Sequence, residues 1–169
     1  MTELRPELTK YQGKDPKQAL DSALATVQSF CGWHIAPSIA GATATVWCRD
    51  GVAIYLPTLA LTAVASVVQD SVTIASTNYT FERYGVIRMI PGKYFDLTSK
   101  ITVTFTHGYA ALPADVNDIV LTAAQRSISD TRGVVPRISG GPAFIENRGP
   151  RLELDDKDRL APYVIAGFA

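Results

Sequence analysis

Residues 101–132, ITVTFTHGYAALPADVNDIVLTAAQRSISDTR, carry two hydrophobic periods back to back, and few folds accommodate that order. Ile101, Val103 and Phe105 share one face at a period of two, with Thr102, Thr104 and Thr106 on the other, the pattern of a half-buried β-strand. Gly108 provides the positive φ for a sharp exit, and Pro113 lacks the N–H that a helix start leaves unpaired anyway. From Asp115, the positions Val116, Ile119, Val120, Ala123, Ala124, Ser127 and Ile128 recur at three- and four-residue spacing, which predicts an amphipathic helix about 24 Å long if about sixteen residues are helical. Asp115 and Asp118 near its start and Arg126 and Arg132 near its end complement the helix dipole.

An amphipathic helix needs a partner, and residues 15–31 supply a candidate. Asp15 is suited to cap a helix N-terminus, Pro16 to its first position, and Gly32 to its end. Ala19, Leu20, Ala23, Leu24, Val27 and Phe30 form the expected buried face, facing the stripe at Val116 to Ile128 as an antiparallel helix pair. Between the two helices, at about 43–107, lies a β insert. Short runs rich in Val, Ile, Thr and aromatic residues at 43–49, 52–56, 62–69, 71–75, 79–82, 86–90 and 101–106 are separated by Asp50-Gly51, Pro57, Asp70, Asn78, Gly85 and Pro91-Gly92. Asp50-Gly51 is the strongest hairpin signal, so an antiparallel meander forming a small sheet is expected. The fold class is α+β.

Outside this body of 15–132 the character changes. Residues 1–14 read as a loose arm, and 133–169 as an extended one punctuated by Gly133, Pro136, Gly140, Gly141, Pro142, Gly149 and Pro150. Asp155 and Asp156 cap at most a short helical turn around Lys157 to Leu160. Fully extended, this arm would reach about 110–130 Å. Its apolar tip, with Tyr163, Val164, Ile165 and Phe168, is expected to dock on another subunit or partner.

Charge and composition remove several functions. Sixteen basic and sixteen acidic residues give a net charge of +0, and no stretch gathers Lys and Arg into a phosphate-tracking groove. The apolar run at 52–68 is broken by Pro57, so it cannot cross a bilayer as a helix, and no membrane partner is expected. No signal peptide opens the sequence, so a cytosolic site of synthesis is expected.

Catalytic constellations are equally sparse. Cys31, His34, Cys48 and His107 are zinc-capable, but their spacing fits no common zinc finger. Two buried thiols and two histidines bonded to local backbone account for them more simply. Gly140-Gly141-Pro142 lacks the Lys-Ser/Thr of a phosphate loop, and Asp155, Asp156 and Asp158 lack the spacing of a calcium loop. Asp115 and Asp118 are explained by helix capping. No catalytic residue, metal or cofactor is assigned, and the expectation is that the protein is not an enzyme.

The order of ALATVQSFCGWHIAP, YLPTLALTAVASV, TVTFTHGYAALPADVNDIVLTAAQR and LELDDKDRLAPYVIAGF resembles the head-to-tail connector, or adaptor, proteins of long-tailed double-stranded-DNA phages, most of all those of actinobacterial phages. The resemblance runs from Asp15 onward and is carried by Cys31-Gly32-Trp33-His34-Ile35, Leu56-Pro57, Thr106-His107-Gly108-Tyr109, Pro113-Ala114-Asp115 and Leu160-Ala161-Pro162-Tyr163. It implies a structural protein of the virion neck that forms a ring, usually of twelve copies. Such a ring binds the portal after DNA packaging and joins it to the next neck protein, a stopper or tail terminator. It leaves a channel through which DNA passes without sequence-specific binding.

In such connectors the C-terminal segment reaches the portal. Leu152, Leu154, Leu160, Pro162, Tyr163 and Phe168 are therefore the expected portal-binding residues, and Trp33, His34, His107, Tyr109 and Arg126 the expected interface or structural ones. The basic residue that follows this tyrosine in relatives is replaced here by Val164. Removal of 151–169 is expected to leave a folded body that no longer attaches to portal. The residues facing the DNA channel are not assigned. A stopper or tail terminator is the nearest competing reading, and a small Cys/His metal-binding domain or enzyme a remote one.

Overall fold

The computed structural model describes residues 15–129 and 150–165. They comprise three α-helices, α1 (Pro16–Cys31), α2 (Ala114–Ser129) and α3 (Leu154–Leu160), and seven strands, β1 (Ile39–Trp47), β2 (Ala53–Tyr55), β3 (Leu61–Gln69), β4 (Val72–Ile74), β5 (Tyr79–Glu82), β6 (Val86–Met89) and β7 (Lys100–His107). The α+β class is as expected. The described residues divide into two compact units, one of 15–27, 114–129 and 150–159, the other of 28–113 and 160–165.

In the helical unit both long helices start as the sequence dictates. The Lys17 amide donates to Asp15 Oδ1 at 3.2 Å, and Pro16 occupies the first turn of α1. On α2 Val116, Ile119, Val120, Ala123, Ala124 and Ser127 of the expected stripe are buried, and Ile128 at its end is half-buried. The buried face of α1 is narrower than expected: Ala19, Ala23, Val27 and Cys31 are buried at strict four-residue spacing, whereas Leu20 and Phe30 are each 36% exposed. At 100° per residue these two fall to either side of that line, on the flanks of the stripe. The helix ends at Gly32, whose φ of +78° takes the chain out of the helix.

The sheet-bearing unit departs from a meander. A four-stranded antiparallel sheet has the order β1-β7-β3-β4, and a three-stranded one the order β2-β6-β5. The last strand thus inserts between the first and the third, and Ile101, Val103 and Phe105 are buried as the period-two pattern requires. One core serves both sheets, with Ile54, Ile87 and Met89 from the smaller packed among Val67, Ile101 and Val103 from the larger. True hairpins join β3 to β4 through Asp70 and Ser71, both at positive φ, and β5 to β6 through a turn ending at Gly85. Asp50-Gly51 is not a hairpin turn, because β1 and β2 belong to different sheets. Asp50 Oδ1 instead accepts the amides of Val52 and Ala53 at 2.8 and 2.9 Å, so the dipeptide turns the chain from one sheet to the other.

The C-terminal segment also differs from expectation. Residues 150–165 are not an extended arm: they form α3 and a 3₁₀ turn at Ala161–Tyr163, with Asp156 and Leu160 buried. The remaining parts of the two expected arms, 1–14, 130–149 and 166–169, lie outside the described residues.

Candidate partner interface

The segment proposed to reach a partner is anchored in each unit by a few specific bonds. In the helical unit the Glu153 amide donates to Asp156 Oδ2 at 3.0 Å, half of a capping box that starts α3. The same carboxylate, only 4% exposed, pairs with Arg126 of α2 at 2.5 Å, and Glu153 lies 3.4 Å from that guanidinium. Its bond to Asp156 holds the Arg126 guanidinium above its ordinary pKa. Arg159 of α3 also bonds Asp118 at 2.9 Å, so both acidic and basic ends of α2 are tied to α3. Arg126, expected at an interface or in a structural role, holds its own chain together.

In the other unit, Trp33 Nε1 donates to the Tyr163 carbonyl at 2.7 Å and the Ile165 amide to the Cys31 carbonyl at 3.1 Å. The Tyr109 ring stands 6.1 Å from Trp33 and 6.4 Å from Tyr163, with the Arg83 guanidinium 5.4 Å from its centroid. Trp33 is 5% exposed, which makes it a fastening within the chain.

The expected portal contacts therefore separate. Leu154 is 77% exposed, Pro162 is exposed, and Leu152 and Tyr163 are half-buried. Leu160 is fully buried, so it serves the fold and is withdrawn from that set. Phe168 lies outside the described residues. Sequence reading missed several exposed apolar side chains, among them Trp47, Tyr55, Tyr84 and Tyr94. Trp47, Tyr55 and Tyr84 line an open cleft of about 620 Å³ together with Arg49, Leu59 and Ile165. Period-two reading could have found Trp47, since it follows Thr43 and Thr45 on the exposed face of β1.

The zinc-capable residues do not converge: among the described residues no three or more His, Cys, Asp or Glu side chains are placed to hold a metal ion. Both cysteines are reduced and buried, and burial pushes the Cys31 thiol up to about 11, so it stays protonated at neutral pH. Cys48 Sγ donates to the Ala53 carbonyl at 3.2 Å. The histidines do meet, with His34 Nε2 2.6 Å from the Pro37 carbonyl oxygen and its ring 6.0 Å from that of His107. None of the described helices is long and apolar enough to cross a membrane.

No family model and no curated protein matches this sequence. Among solved structures, a chain of the virion of a native gene transfer agent particle matches over 92% of this chain and 85% of its own length. Its TM-score is 0.52 at 16% identity, so the likeness is one of fold.

Proposed function

We propose that this chain is a structural protein of a phage-like virion, located in the neck, where copies of it form a ring that binds the portal and connects the head to the tail. The observation that carries this reading is a fold shared, over nearly the whole chain, with a component of a virion particle. The sequence resemblance to head-to-tail connectors points the same way. Two sixteen-residue helices favour a connector over the stopper and terminator proteins, which are more strand-dominated.

The role requires no bond making. It requires modest contacts repeated around a ring of about twelve copies, which avidity turns into firm attachment. Leu152 and Leu154 beside and on α3, and Pro162 and Tyr163 after it, are the described residues proposed to meet the portal, with the stopper or terminator on the ring's other side. A balanced charge suits a channel through which DNA slides without being held.

The test mixes the purified full chain with portal rings from the same phage and measures mass in solution, with negative-stain imaging. Added density at one end of the portal supports the proposal. Leu154→Asp, at a site too exposed to unfold the subunit, is expected to weaken attachment at least tenfold. A well-folded protein that leaves portal mass unchanged would sink the connector reading in favour of a stopper or terminator.

A further inference from the structure

A pair of histidines occupies the point where the end of β7 meets the loop that follows α1. His107 is 8% exposed, and its Nδ1 is buried with no hydrogen-bond partner among the described residues. Around it stand the Phe105 ring, 5.1 Å away, and its strand neighbours Ile39 on β1 and Leu61 on β3, none of them charged. The titratable group facing it is His34, edge-on at 6.0 Å. The loop is fastened to the strand end by three kinds of contact. The Tyr109 amide donates to the Ile35 carbonyl at 2.8 Å, and Ser38 Oγ donates to the His107 carbonyl at 3.3 Å. Gly108, at a φ of +94°, packs so closely that a Cβ there would lie 3.2 Å from the Pro37 carbonyl oxygen.

We propose that His107, with His34 beside it, forms an acid-sensitive catch, which holds the loop of residues 35–38 against the end of β7 while the His107 ring is neutral and loosens when that ring takes up a proton. A neutral imidazole can place its bare nitrogen at the buried Nδ1 position. An imidazolium cannot: both nitrogens then carry N–H, and the one at Nδ1 has no acceptor in an apolar surrounding. A charged His34 ring 6.0 Å away adds repulsion. Burial first, and His34 second, accordingly hold the His107 imidazole below its ordinary pKa of 6.5. The unfolded or opened chain binds the proton more readily than the closed one. The contribution of the catch is therefore complete above about pH 6.5 and falls as the pH drops through the folded value.

The deciding experiment follows hydrogen exchange at the Tyr109 amide, which bonds the loop's Ile35 carbonyl, in the full chain between pH 7.5 and 5.5, corrected for intrinsic rates. The His107 ring is titrated alongside by NMR. The expected result is a loss of protection of about fivefold or more on acidification, the order that uptake of one proton supplies. The loss should be abolished in His107→Gln and reduced in His34→Gln. Equal pH profiles for the wild type and a folded His107→Gln protein would overturn the proposal. Should His107→Gln fail to fold, the wild-type titration decides: a ring titrating at or above 6.5 refutes the catch, and one titrating below it supports it.

Discussion

Asp156 shows how much one side chain carries when it is buried and shared. Its carboxylate accepts from both Arg126 and the Glu153 amide, so Asp156→Ala strands two donors and should cost about 2–3 kcal/mol, read as a shift in urea midpoint at constant slope. Arg159→Ala removes an ion pair whose members are 41% and 62% exposed, and by the same measurement it should cost less than about 1 kcal/mol. Glycines divide in a similar way. A Cβ at Gly92, φ +83°, meets nothing within 4 Å, so Gly92→Ala should cost only the left-handed backbone term of about 1–2 kcal/mol. At Gly85 the same Cβ would lie 2.4 Å from the Thr58 carbonyl oxygen, which is main chain and cannot swing away. Gly85→Ala should therefore be clearly the more damaging of the two in thermal denaturation.

The elements respond to their ends and corners. Asp15→Ala should cost about 1 kcal/mol through the frayed start of α1, seen as lost helical signal in the same unfolding curve. At the corner between the sheets, hydrogen bonds from the Ala53 and Val52 amides hold the Asp50 carboxyl below its ordinary range. A carboxylate so depressed contributes stability above its unfolded value of about 3.9 and loses it as the pH falls through the folded one. The wild type should lose stability over that acid range, and Asp50→Asn should flatten that part of the profile.

These elements were legible in sequence because each is written in a local period: the Ile101, Val103, Phe105 alternation, the α2 stripe, and the Asp15-Pro16 start. Their pairing was not. Asp50-Gly51 carries the same residues whether it closes a hairpin or turns the chain between sheets, and only the distant partners of β1 and β2 tell the two apart. Residues 150–165 looked like an arm because isolated ion pairs at Asp156 and Arg159 and an indole bond to Tyr163 leave no periodic trace. Of the candidate interface, Leu154 and Pro162 were readable as exposed apolar positions. The burial of Leu160 was not, since a leucine in a polar stretch looks alike whether it faces a core or a partner.

For the molecule as a whole, the folding back of 150–165 reverses one expectation. Deleting 151–169 removes the buried Asp156 and Leu160 and the carbonyl that accepts from Trp33, so it should destabilise the fold and not merely abolish the proposed attachment. Calorimetry of the truncated chain should show a lowered transition, whereas Leu154→Asp should melt with the wild type. The central place of β7 has a comparable reach. Val103→Ala in its buried face should cost about 2 kcal/mol, against about 0.5 kcal/mol or less for Val72→Ala at a site 67% exposed.

That placement also sets a clock. Thr45 on β1 and Thr102 on β7 stand opposite one another but are 57 positions apart in the chain. On a ribosome adding about 5–20 residues each second, β1 emerges several seconds before the strand that will cover one of its edges. The β3–β4 and β5–β6 hairpins close over short loops in the meantime. For that interval a nine-residue strand without a charge or a proline waits with both edges open. The period of greatest exposure to unwanted pairing thus falls during synthesis, before the chain is complete.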